Sequence, residues 1–95
     1  MKLEESRQKI DAIDTEILIL LNRRAEVSRE IGTLKRSAGM PIMDAGREDD
    51  ILRRIARENE GTMRDQAVVG IYRTILQESR RIQMDMQAEI ARESV

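Results

Sequence analysis

The strongest constraint in this chain is an uninterrupted helical pattern over residues 3–37. Apolar residues at Leu3, Ile10, Ile13, Ile17, Leu20, Leu21, Val27, Ile31 and Leu34 follow steps of three, four and seven, the spacing of one helix face. No proline interrupts this stretch, and Gly32 is its one glycine. A helix of that length spans about 50 Å at 1.5 Å per residue. The rest of a 95-residue chain cannot cover it in a closed globule. The pattern therefore predicts an all-α fold with three helices per chain, one long, one short and one medium-long. The economical way to cover the long helix is a second copy, giving an intertwined homodimer of C2 symmetry. An extended coiled-coil hairpin is the alternative.

"SAGMPIM" ends the first pattern with Gly39 and Pro41. Asp44 suits the N-cap of a second helix over about 44–60, with Ile51, Leu52 and Ile55 as its buried stripe and Gly61 as its stop. A third helix over about 64–91 carries Val68, Tyr72, Ile75, Leu76, Ile82, Met86 and Ile90. The terminal "ARESV" is expected to fray. With no strand pattern and no repeat, residues 1–95 read as a single domain.

Composition then narrows the chemistry. Seventeen basic residues stand against 18 acidic ones, a net charge of −1, so bulk charge selects neither nucleic acid nor a membrane surface. One tyrosine is the only aromatic residue, too few for base stacking. There is no cysteine and no histidine, which removes thiolate nucleophiles, zinc–thiolate sites and the commonest general base. Nothing marks a metal site, and no cofactor is expected. No apolar run approaches the roughly 20 residues that span a bilayer, and "MKLEESRQKI" lacks the apolar core of a signal peptide. A cytoplasmic protein is expected.

Several polar residues border the apolar stripes. Arg24 and Lys35 are nearly three whole turns apart, about 16 Å along one face, so both can lean toward a common point. Either could instead lay its stem on the core and send its head to water. Arg7 is about 25 Å from Arg24 along the helix, too far to share a small ligand within one chain, although it could reach a partner's site. Ser79 and Gln83 are an i, i+4 pair along the third stripe. An inward glutamine needs partners for its amide, from a neighbouring helix or from a ligand. Arg47 stands in the first turn of the second helix, where a cation opposes the helix dipole, with Glu48 beside it. Inward guanidinium and ammonium groups call for anions. These residues suggest a small polyanionic ligand inside a helical dimer.

In this order, "RQKIDAID", "LLNRRAEVSREIGTLK", "PIMDAGRED" and "ILQESRRIQ" resemble the AroQ class of chorismate mutases over about residues 4–85. The resemblance implies an all-helical intertwined dimer that converts chorismate to prephenate by a Claisen rearrangement, with no cofactor. It implies that Arg24 binds a substrate carboxylate and that Arg7 reaches into the partner's site to bind one there. Lys35 and Gln83 would donate to the ether oxygen whose bond breaks. Arg47 and Ser79 would lie near the ring carboxylate, and Glu48 with the backbone around Asp44 would hold the ring hydroxyl. All eight positions carry the residue types of that class. Isochorismate pyruvate lyases resemble the same fold but lack a carboxylate after the arginine, where this chain has Glu48. A catalytically silent helical domain of a larger enzyme is the rival of a different kind.

Overall fold

The computed structural model describes residues 1–94 and consists of three α-helices joined by short connections. Helix α1 runs unbroken over Lys2–Ala38. Glu4 and Glu5 lie in its first turn and Lys35 and Arg36 in its last, each suited to the partial charge of that end. Gly39 ends it in the left-handed conformation, φ 66°. Its N–H donates to Arg36 O (3.2 Å) and that of Met40 to Lys35 O (2.8 Å), which fills the last carbonyls.

Helix α2 covers Ala45–Glu58. The Asp44 carboxylate accepts from Arg47 N at 3.0 Å, so the expected cap is present, with Arg47 at the position a glutamate often takes. The far end differs from the sequence reading. Gly61 is not the stop; the helix ends two to three residues earlier, at Asn59, in an extended conformation (φ −73°, ψ 108°). Asn59 achieves this through its side chain, which donates to Met63 O (2.8 Å) and Asp65 Oδ1 (2.7 Å) and so ties the connection to the next helix.

Helix α3 covers Asp65–Glu93. The expected fraying of "ARESV" is not seen over Ala91–Glu93, which are helical; Ser94 closes the helix on Ile90 O, and Val95 lies outside the described residues. No helix among the described residues is long and apolar enough to cross a membrane.

Helix α3 packs against both other helices, while α1 and α2 do not pack on each other. Arg24 meets Ser79 and Gly32 meets Gln83, so α1 and α3 run the same way where they touch. The chain extends 60 × 28 × 14 Å with a radius of gyration of 17.1 Å. A compact domain of this length would have about 12 Å. The reason is visible along α1. Residues 1–23 are all exposed, and α3 covers only the C-terminal part of the helix, chiefly at Ser28 and Gly32. All nine apolar residues of the α1 pattern remain exposed, from Leu3 and Ile10 to Ile31 and Leu34. Ile51 and Leu76 are the buried hydrophobic residues among those described.

Candidate active site

The α1–α3 crossing is polar. On α1 the face turned to α3 carries Arg24, Ser28, Gly32 and Lys35, spaced so that each falls within about 80° of Arg24 around the helix. On α3 the matching face carries Leu76, Ser79, Gln83 and Gln87. Ser28, Ser79 and Gln83 are buried, and Arg24 and Lys35 half-buried. Small residues at 28 and 32 allow this approach. A Cβ at Gly32 would lie 3.0 Å from Gln83 Cα and 3.2 Å from its carbonyl oxygen. Gln87 Nε2 donates to Gly32 O at 3.1 Å across the same contact.

Within this crossing the Arg24 guanidinium donates to Ser79 Oγ, and the Ser79 hydroxyl donates to Ile75 O at 3.0 Å. One turn further along α3, Gln83 Oε1 is buried and has no hydrogen-bond partner among the described residues. Lys35 donates from Nζ to Ile42 O at 2.7 Å, tying the end of α1 to the connection before α2. Glu48, half-buried in the first turn of α2, forms an ion pair with Arg80 of α3. Asp44 and Arg47 are exposed at the start of that helix.

Arg24, Ser79 and Gln83 are thus brought to one helix crossing, and Lys35 lies further along the same face of α1, bonded to Ile42 O. Glu48 joins α3 through Arg80. Arg7 stands apart, exposed on the part of α1 that no described residue buries. Arg80 was not among the sequence candidates, and the sequence signals only that Glu48 lacks a cation on its own helix face, not which residue supplies one. Glu48 has Asp44, Ile51 and Leu52 one turn away on its own helix and no cation among them, so its partner had to come from elsewhere.

Two grooves flank the crossing. One of about 570 Å³ between α1 and α3 is lined by Arg24, Ser79, Arg29, Glu78 and Arg81 among others. The second, of about 590 Å³, is mostly apolar, with Ile17, Leu20, Leu21, Ile71, Tyr72 and Ile75. Neither contains Lys35, Gln83 or Glu48. Beside the first groove, the hydrogen bond from Arg81 holds the exposed Glu78 carboxyl below its usual range, and the same contact raises Arg81. These are surface charges on α3, with little energetic weight.

The crossing offers cationic donors from Arg24 and Lys35 and a buried amide from Gln83, with the Glu48 carboxylate tied to α3 by Arg80. Such a set binds anions and places positive charge, and a serine without histidine cannot act through a Ser–His pair.

Residues 6–84 match the family described as chorismate mutase type II. A bifunctional chorismate mutase/prephenate dehydratase of Aquifex aeolicus is 43% identical over 79 residues, covering 79% of this chain and 22% of the relative. The chain therefore spans about a fifth of the length of that curated relative. A chorismate mutase of Methanocaldococcus jannaschii is 31% identical over 83 residues, covering 86% of this chain and 84% of the relative. Among solved structures, the chorismate mutase of Helicobacter pylori in complex with prephenate superposes with a TM-score of 0.83 at 31% identity, covering 92% of this chain and 94% of that one.

Proposed function

The chain belongs to the chorismate mutase type II family, and we propose that it converts chorismate to prephenate as an intertwined homodimer in the cytoplasm. Residues 1–95 act as one catalytic module. The observation that carries this reading is the polar helix crossing. Packing alone favours apolar residues there, yet Arg24, Ser79 and Gln83 occupy it, and Gln83 keeps an unfilled hydrogen-bonding position. That atom is Oε1, an acceptor; leaving it unpaired costs roughly 1–3 kcal/mol, which is relieved by a donor on a ligand, or by a turn of the amide that presents Nε2 to a ligand oxygen.

The reaction needs no acid, base, nucleophile or cofactor, which suits the residues present. Its barrier falls when the substrate is held in the folded conformer that brings the reacting carbons together. Carboxylate contacts from Arg24, from Arg47 with Ser79, and from the partner's Arg7 supply that hold. Glu48 and the backbone around Asp44 take the ring hydroxyl. As the C–O bond breaks ahead of C–C bond formation, negative charge grows on the ether oxygen. Lys35 with its ammonium and Gln83 with its amide Nε2 donate to it.

The exposed stripe of α1 and the position of Arg7 support the dimer. Because α1 is continuous over Lys2–Ala38, Arg7 stays about 25 Å along the axis from Arg24 of its own chain. It can serve only a site on another copy.

Incubating the purified chain with chorismate and identifying the product tests the activity. Prephenate is the expected product. An intact dimer that leaves chorismate unchanged would overturn the reading in favour of a silent helical module, and pyruvate released from isochorismate would identify a lyase.

A further inference from the structure

Two carboxylates lie among the candidate residues. Asp44 spends its side chain on capping α2, while Glu48 reaches across to α3 and pairs with Arg80. Arg80 follows Ser79 directly, so it lies about 100° around α3 from Ser79 and about 20° from Gln87, at the edge of the crossing face, where its guanidinium meets Glu48 of α2. One turn along from each partner lie Ile51 and Leu76, both buried, on the same pair of packed helices. The side chains of Arg80 and Glu48 are 32% and 20% exposed, well below the surface pairs Arg53–Asp49 and Arg54–Glu58 on α2.

Two cations of the candidate site have ligand roles of their own in the proposed reaction, Arg47, next to Glu48 in sequence, at a carboxylate and Lys35 at the ether oxygen. A half-buried carboxylate without a partner of its own would turn to Arg47 or Lys35 and neutralise one of them. The contact from Arg80 engages Glu48 Oε1 and leaves Oε2 for a hydroxyl donor. The geometry points to Arg80 as a positioning residue that holds the Glu48 carboxylate toward the ring hydroxyl of the substrate and away from Lys35 and Arg47. This rests on the role given to Glu48 above.

Steady-state kinetics and thermal melts on wild type, R80Q, R80K, E48Q and the R80Q/E48Q double variant test it. R80Q is expected to raise KM for chorismate about tenfold with kcat within about threefold. R80K is expected to restore KM to within about threefold of wild type. In the E48Q background, R80Q should change KM less than about twofold, the non-additivity of residues acting through one another. A lowered Tm with unchanged KM in R80Q would reduce the pair to a brace between α2 and α3. An equal KM penalty in both backgrounds would mean that Arg80 meets the ligand itself, and would also overturn the proposal. Should R80Q not fold, R80K and R80K/E48Q carry the comparison: a smaller KM rise confined to the Glu48 background supports the role, and a rise in both removes it. Wild-type chain that leaves chorismate unconverted overturns the mutase reading along with the role, whereas wild-type turnover with an indifferent R80Q overturns the role of Arg80 alone.

Discussion

Lys35 is tied at both ends to the connection that follows it. Its carbonyl accepts from Met40 N and its ammonium donates to Ile42 O. A ligand with an ether oxygen near this point offers the ammonium a developing negative charge in place of a neutral carbonyl. Removing one such donor typically lowers kcat by about 10²–10³, or roughly 2.7–4 kcal/mol. Lys35→Ala should therefore lose at least that much turnover, with the far-UV CD spectrum nearly unchanged, because the backbone bond to Met40 survives. Near wild-type turnover in this variant would remove Lys35 from the mechanism. Gln83 gives a second prediction. Its amide has no titrating proton, so kcat/KM should vary by less than about threefold between pH 6 and 8. Gln83→Glu should convert this flat profile into one that falls as pH rises, since only the protonated carboxyl donates and the ionised one opposes the charge on the oxygen. A flat profile for Gln83→Glu would show that residue 83 does not face the reacting oxygen.

At the scale of elements, the contact between α1 and α3 depends on Gly32. Alanine there would gain up to about 1 kcal/mol of helix propensity. Against this, its Cβ would press on the Gln83 backbone, with Cα at 3.0 Å and the carbonyl oxygen at 3.2 Å, neither of which can rotate away. Overpacking of this kind costs about 1–3 kcal/mol. Gly32→Ala should lower Tm and also kcat, because α3 must shift the residue that carries the amide. Gly70, in the interior of α3, is the counterpart: a Cβ there meets nothing within 4 Å. Gly70→Ala should raise Tm, by about 0.5–1 kcal/mol of stability, without a change in kcat. Thermal melts of the two variants check both signs. These positions also mark how far the sequence could be read. The limits of α1 and α3 and the cap at Asp44 follow from periodicity and local chemistry, and the structure has them within two residues of the sequence reading at each end. Gly61 misled because the end of α2 is set by Asn59 reaching forward to Met63 and Asp65, a contact that glycine preference does not encode. Gly32 read as a weak helix former, since a single helix pattern does not say which face meets another helix closely. Arg24, Lys35, Ser79 and Gln83 were legible as polar residues bordering apolar stripes. Arg80 was not, because its partner is 32 positions away on another helix.

Among the described residues, the apolar stripe of α1 has no partner. From Leu3 to Leu34 the α1 stripe is exposed, and the apolar groove of Ile17, Leu20, Leu21, Ile71 and Tyr72 opens beside it. At about 25 cal/mol per Å², burying such a surface is the main drive available to this chain for association. In the proposed C2 dimer the stripe would pair with itself and each Arg7 would reach toward the other chain's crossing. On that proposal the two sites would share residues, each taking Arg24, Lys35, Ser79 and Gln83 from one chain and Arg7 from the other. Arg7→Ala and Arg24→Ala homodimers should each be nearly inactive, for every site in them lacks one arginine. Unfolding the two variants together and refolding them as a mixture yields heterodimers in about half of the molecules. In each heterodimer one site lacks both arginines and the other has both. The mixture should regain about a quarter of wild-type activity, while each variant refolded alone should regain none. A mixture no more active than its components, with heterodimers present by mass spectrometry, would mean that Arg7 serves no site across the interface.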